Sequence, residues 1–71
     1  MRCEIRIDGR PPRALTEAFP RLARCVVGEQ TLLFGPVADE AQVYGLLARC
    51  RSLGLRVVEM RVTETHRLSG E

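Results

Sequence analysis

The sequence contains neither lysine nor tryptophan, and its only aromatic residues are Phe19, Phe34 and Tyr44. All 11 basic residues are arginine, and 9 acidic residues leave a net charge of +2. Such a balanced charge does not by itself indicate a nucleic-acid partner. RNA-binding sheets also need aromatic side chains on which bases stack, and this chain has few of them. We therefore expect no nucleic-acid partner.

Long apolar runs are also absent, since no stretch approaches the ~20 residues that a membrane-spanning helix needs. The first residues, MRCEIRIDG, alternate charged and apolar side chains, which is not the pattern of a signal peptide. The chain has 71 residues, of which 45% are hydrophobic, so we expect one small globular domain. These features predict a cytoplasmic protein that makes no membrane contact.

The sequence has no Cys-x-x-Cys pair, because Cys3, Cys25 and Cys50 are far apart. An odd number of cysteines in a cytosolic protein argues against a disulfide framework. With His66 these residues could supply four zinc ligands. However, each cysteine occupies an apolar, inward position of its predicted element, and free cysteine packs as a small hydrophobe. We therefore expect three core cysteines and no metal or cofactor.

The clearest helix pattern begins at Asp39, a good N-cap, with Gln42 placed three residues later as in a capping box. Gly54 supplies a helix stop, and the predicted helix covers 39–53. Gly45 interrupts it, either as a surface glycine or as a point of close approach by another backbone. The apolar side chains recur at spacings of three and four and share one face: Val43, Leu46, Leu47, Cys50 and Leu53.

Four strands and a weak helix complete the prediction. Strands are predicted at 2–8, 22–27, 31–34 and 55–63, and the weak helix at 13–19. The order is therefore βαββαβ, which predicts an α+β, ferredoxin-like sandwich with a short or degenerate first helix. Its four-stranded antiparallel sheet has the order 4-1-3-2. We expect one domain over 1–63 and a flexible tail over 64–71.

The first strand alternates regularly, with Arg2, Glu4 and Arg6 on its outward side. The predicted sheet order places it beside the last strand. Glu4 and Arg6 could then pair with Arg61 and Glu59, and opposite charges on neighbouring strands contribute roughly 0.2–1 kcal/mol per pair.

The second half of the chain carries a motif of capping and core residues: Gly35-Pro36-Val37, Asp39, Ala41, Gly45-Leu46-Leu47, Arg49, Arg51 and Leu53-Gly54-Leu55. On these residues the chain resembles a family of short, uncharacterised bacterial proteins with a GP(L/V)xDQAxLHGLLxRxRDLGL-like segment. It departs from that pattern at Glu40, Tyr44 and Ser52. The resemblance implies a shared fold and carries no assigned activity.

Our first hypothesis is a small non-enzymatic binding or regulatory module, acting as a homo-oligomer or as a subunit of a larger assembly. Its motive is size, because a chain this short buries barely enough apolar surface to offset its conformational entropy. The contact would be a sheet edge or the outer sheet face, and its candidate residues are Arg6, Leu33, Val57, Glu59 and Arg61.

Two alternatives stay open. A small-molecule sensor resembling amino-acid-binding regulatory domains would use Arg10, Arg13 and Tyr44. A small enzyme ranks last, because the sequence offers no pair of catalytic carboxylates and no histidine in a predicted element. We assign no catalytic residue.

Overall fold

The computed structural model describes residues 1–64 of the chain. The predicted tail over 64–71, with His66, lies outside these residues except for Glu64. The elements follow in the order β1 (Arg2–Asp8), α1 (Arg13–Ala18), β2 (Ala23–Val27), β3 (Gln30–Pro36), α2 (Glu40–Ser52) and β4 (Val57–Thr63).

The four strands form one antiparallel sheet in the order β2-β3-β1-β4. Leu15 of α1 and Leu46 of α2 join Ile5 and Ile7 of β1 in one buried core, so both helices pack against the same sheet face. We call this the inner face and the opposite side the outer face. The predicted ferredoxin-like α+β fold is confirmed, and α1 has only six residues.

β1 is a central strand, paired with β3 and β4, and its side chains alternate between the two faces. Cys3, Ile5 and Ile7 point inward and are almost completely buried, whereas the intervening charged residues are exposed. The remaining buried apolar residues come from α1, β3, α2 and the loop before α2: Leu15, Leu33, Val37, Val43, Leu46 and Cys50.

The ends of α2 follow the predicted signals. Asp39 Oδ1 accepts a hydrogen bond of 3.0 Å from the Gln42 backbone N–H, as expected of the N-cap. Gln42 Oε1 accepts one of 2.7 Å from the Ala38 backbone N–H, one residue before the cap, and not from the Asp39 N–H of the predicted capping box. At the other end Gly54 has φ +74°, and the Leu55 N–H donates to the Cys50 carbonyl at 2.9 Å. These contacts satisfy backbone groups that a helix leaves unpaired at its termini.

β3 is longer than predicted, because Gly35 and Pro36 continue the sheet instead of ending it. Gly35 pairs with Cys3, and Pro36 pairs with Arg2 at the strand end. Gly35 has φ +153°, and a Cβ there would lie 2.8 Å from the Arg21 carbonyl oxygen. Only glycine lets the loop before β2, at Arg21 and Leu22, pass so close to β3.

β4 begins at Val57, two residues later than predicted, and starts with a register shift. Arg6 pairs with Glu59 and Ile7 pairs with Val57, so Val58 is the extra residue of a β-bulge. Val57 and Val58 therefore lie on the same side of the strand. For this reason Val57 turns to the inner face, where it packs against the core.

Neither helix within residues 1–64 has the length and apolar character needed to cross a membrane.

Candidate interaction surface

The β1 and β4 half of the outer face is charged. Arg6 Nη1 lies 3.3 Å from Glu59 Oε1, and Arg61 Nη2 lies 3.8 Å from Glu59 Oε2. The register pairs Arg6 with Glu59 and Glu4 with Arg61, which confirms the predicted cross-strand arrangement. These side chains are about half exposed or more, so each ion pair contributes no more than about 1 kcal/mol.

The β2 and β3 half of the outer face is mostly apolar. Leu32 lies opposite Arg6 of β1 on one side and opposite Cys25 of β2 on the other. Because Arg6 is on the outer face, Leu32 and Cys25 are on the outer face too. The outer-face side chains of this half include one polar residue, Gln30, and are otherwise Ala23, Cys25, Val27, Leu32, Phe34 and Pro36. Arg6 therefore borders an apolar surface as well as its ionic partner Glu59.

Two predicted contact residues are absent from the outer face. Leu33 is only 3% exposed and lies opposite Ile5, so it belongs to the core, and Leu32 takes the outward position. Val57 lies opposite Ile7 and also faces inward, because of the bulge. The prediction that Leu33 and Val57 form outer apolar contacts is therefore wrong. Arg6, Glu59 and Arg61 are on the outer face as predicted.

A second exposed apolar area runs along β4, which is an edge strand with β1 as its neighbour in the sheet. Met60 and Val62 lie on the inner face, opposite Ile5 and Cys3, yet each is 40% exposed, and Val58 is 45% exposed. Tyr44 of α2 is 64% exposed and lines the same shallow pocket as Met60 and Val62. We call Tyr44, Val58, Met60 and Val62 the β4 patch.

Of the β4 patch, only Tyr44 is among the candidate residues of the sequence analysis, as a sensor residue. The alternation of Val58, Met60 and Val62 is visible in the sequence and indicates a buried side. The predicted sheet order already makes this strand an edge, but only the helix placement shows that the helices leave it partly uncovered.

The proposed sensor residues do not converge. Tyr44 lies beside Met60 and Val62, which pair with the first half of β1. Arg10 and Arg13 follow the other end of that strand, and Arg13 Nε is 3.3 Å from Glu17 Oε2. The pocket beside Tyr44 is lined by Glu40, Val43, Tyr44, Met60 and Val62, and therefore includes neither arginine.

Two of the three cysteines, Cys3 and Cys50, are buried in the core, and Cys25 is exposed. Burial raises the pKa of the Cys3 and Cys50 thiols, and the negative charge of Glu4 raises that of Cys3 further, so both stay protonated at neutral pH. The prediction that Cys25 also points inward is wrong, because it is exposed on the outer face. Among residues 1–64, no three His, Cys, Asp or Glu side chains are grouped as metal ligands.

A family model described as a domain of unknown function (DUF8691) matches residues 2–61. This range begins with β1 and ends within β4, so it includes both helices and most of the sheet. The comparisons with curated proteins and with solved structures find no match. The expectation of an uncharacterised family agrees with this description. Since the family model covers most of the chain, the protein belongs to the DUF8691 family of domains of unknown function.

Proposed function

We propose that this chain is a small non-enzymatic interaction module that works by self-association or as a subunit of a larger assembly. The observation that carries the proposal is the β4 patch, where four large apolar side chains are 40–64% exposed along one edge of the molecule. A clustered apolar surface of this kind is typical of a protein contact, whereas single exposed hydrophobic residues are ordinary.

The physical reason is the small size of the domain. A short chain buries a smaller fraction of its surface on folding than a large one, and its stability is correspondingly marginal. Covering exposed apolar surface contributes roughly 25 cal/mol per Å². Contact through the β4 patch therefore adds stabilisation that the isolated domain lacks.

The test is size-exclusion chromatography with light scattering over a wide range of protein concentrations. We expect an oligomer whose population falls when Met60→Glu places a charge in the β4 patch. Val27→Glu is the matched control, because Val27 is 62% exposed but lies on β2, at the other edge of the sheet. An oligomer lost with Val27→Glu and kept with Met60→Glu would move the contact to the apolar half of the outer face. A monomer at every concentration would contradict self-association.

The proposal also covers the origin, the cellular location and the kind of partner of this module. The motif between Gly35 and Leu55 supports a bacterial origin, through its resemblance to the short bacterial proteins described above. We include a cytoplasmic location in the proposal, because the three free cysteines, Cys3, Cys25 and Cys50, are typical of a reducing compartment. A protein surface, and not a nucleic acid, is the partner that the apolar β4 patch favours.

A further inference from the structure

The middle of β4 is complementary to itself. It reads Val58-Glu59-Met60-Arg61-Val62, with the acidic and basic residues placed symmetrically about Met60. When two copies of this segment lie antiparallel around a two-fold axis at Met60, Glu59 of each copy faces Arg61 of the other. Val58 then faces Val62, and Met60 faces Met60 of the second copy.

We propose that two copies of this chain pair antiparallel along β4, with the two-fold axis at Met60, and join their sheets into one sheet of eight strands. The inference rests on the self-association proposed above and specifies its surface. β4 presents a free row of backbone donors and acceptors along its edge, which a second strand satisfies.

Both faces of the joined sheet fit this register. On the outer face, two pairs of opposite charges lie across the junction, each worth roughly 0.2–1 kcal/mol. On the inner face, the apolar side chains of one copy cover those of the other, and Tyr44 extends this contact from α2. Val58, the bulge residue, is the last residue at one end of the segment, so the pairing between copies does not extend beyond residues 58–62.

The other edge strand lacks this symmetry. β2 consists of Ala23, Arg24, Cys25, Val26 and Val27 and contains no acidic residue. In an antiparallel pair centred on Cys25, Arg24 faces Val26 of the second copy, so the arginine gains no opposite charge. The choice of β4 therefore follows from charge complementarity as well as from exposed apolar area.

Disulfide cross-linking tests the register with a matched pair of variants, Met60→Cys and Val62→Cys, both in a Cys25→Ser background that removes the exposed thiol. Met60 and Val62 are equally exposed at 40%, so their thiols are equally accessible in the monomer. In the proposed register the two copies of residue 60 are about 5 Å apart between Cα atoms, within reach of a disulfide. The two copies of residue 62 are separated by roughly 13 Å along the strand.

We expect mild oxidation to convert Met60→Cys to a covalent dimer on a denaturing gel without reductant. Val62→Cys should run as a monomer on the same gel. A mixture of Val58→Cys and Val62→Cys chains should form the heterodimer. If the chain is an oligomer but Met60→Cys does not cross-link faster than Val62→Cys, the β4 pairing is wrong and the proposed self-association stands on another surface. If the chain is monomeric at every concentration, both proposals are overturned.

Charge reversal gives an independent readout. Glu59→Arg alone places arginines opposite each other across the junction, and Arg61→Glu alone places glutamates opposite each other. We expect each variant to dimerise about tenfold more weakly than the wild type, because two favourable contacts become repulsive. Mixed together, the two variants should form mainly the heterodimer, in which every charge again faces its opposite. A heterodimer at only the statistical share of one half in native mass spectra would overturn the register.

Discussion

At the residue scale, two glycines of this chain are expected to respond oppositely to alanine. At Gly35 an added Cβ meets backbone atoms, the Arg21 carbonyl oxygen at 2.8 Å and Leu22 Cα at 3.2 Å, and φ is +153°. At Gly45, in the middle of α2, no described atom outside its chain neighbours and the backbone of its own helix lies within 4 Å of an added Cβ. Gly45 is therefore a surface glycine of the folded monomer, one of the two roles considered for it.

We predict that Gly45→Ala raises the free energy of unfolding by about 1 kcal/mol, since alanine is the better helix former. Gly35→Ala should lower it by more than about 1 kcal/mol, because the backbone must shift and the conformation is unfavourable for alanine. Urea denaturation followed by circular dichroism measures both. A loss of stability or of oligomer with Gly45→Ala would instead show a close approach by a partner at that point.

The buried thiols give this domain a dependence of stability on pH. Burial raises the pKa of Cys50, so the folded state holds this proton more tightly than the unfolded state does. The resulting stabilisation is fully present below the pKa of the unfolded thiol, about 8.5, and declines as the pH rises through the folded value.

We predict that the free energy of unfolding of Cys50→Ala falls less steeply than that of the wild type above about pH 8.5. The variant is less stable at neutral pH because it leaves a cavity, so the slope and not the absolute value is the readout. Cys25→Ala, at an exposed outer-face position, is the control and should keep the wild-type slope. Equal slopes for wild type and Cys50→Ala under reducing conditions would contradict the assignment of Cys50 to the core.

At the scale of elements, the start of α2 depends on one side chain. Asp39 accepts the Gln42 N–H through its carboxylate, and asparagine offers an equivalent oxygen. We predict that Asp39→Ala costs about 1 kcal/mol of stability and that Asp39→Asn costs a few tenths at most. Thermal unfolding of the two variants measures the difference. Equal losses would show that the charge of Asp39, and not its capping hydrogen bond, stabilises the helix.

The element pattern predicts the fold well where periodicity is unambiguous. β1 alternates regularly and α2 has a cap, an apolar face and a stop, which is why the βαββαβ order and the sheet order could be predicted. β3 is different, because both possible sets of outward residues along Leu32, Leu33 and Phe34 include apolar side chains. Only the pairing of Leu33 with Ile5 shows which set is buried.

Sequence patterns could not predict that Cys25 points outward or that Val57 points inward. Cys25 lies in a strand whose side chains alternate poorly in polarity, so the sequence does not define its inner side. Val57 is turned by a β-bulge, which is a property of how two strands pair and not of one strand alone. Because Leu33 and Val57 face inward, the exposed apolar surface consists of other residues, Leu32 on the outer face and the β4 patch at the edge.

At the scale of the whole molecule, the helix layer is too small for its sheet. α1 has six residues and α2 has 13, and together they leave Val58, Met60 and Val62 of β4 40–45% exposed. A second copy paired along β4 would cover these side chains without any change in the fold of either copy.

We predict that the melting temperature of the wild type rises with protein concentration, because a dimer that forms only between folded chains stabilises the folded state by mass action. Met60→Glu should melt at a temperature that is independent of concentration, since it disrupts the proposed contact. Differential scanning calorimetry at concentrations about 100-fold apart measures this dependence. A concentration-independent melting temperature for the wild type would contradict a dimer linked to folding.

Native mass spectrometry of the protein as purified, without added metal, addresses self-association itself. We predict a species of twice the chain mass, free of metal or metabolite adducts, that persists on dilution into the micromolar range and is depleted by Met60→Glu. A spectrum with monomer alone at every concentration would contradict self-association. So would a monomer that carries a stoichiometric metal ion or small molecule, since its function would then lie in that ligand and not in contact between chains.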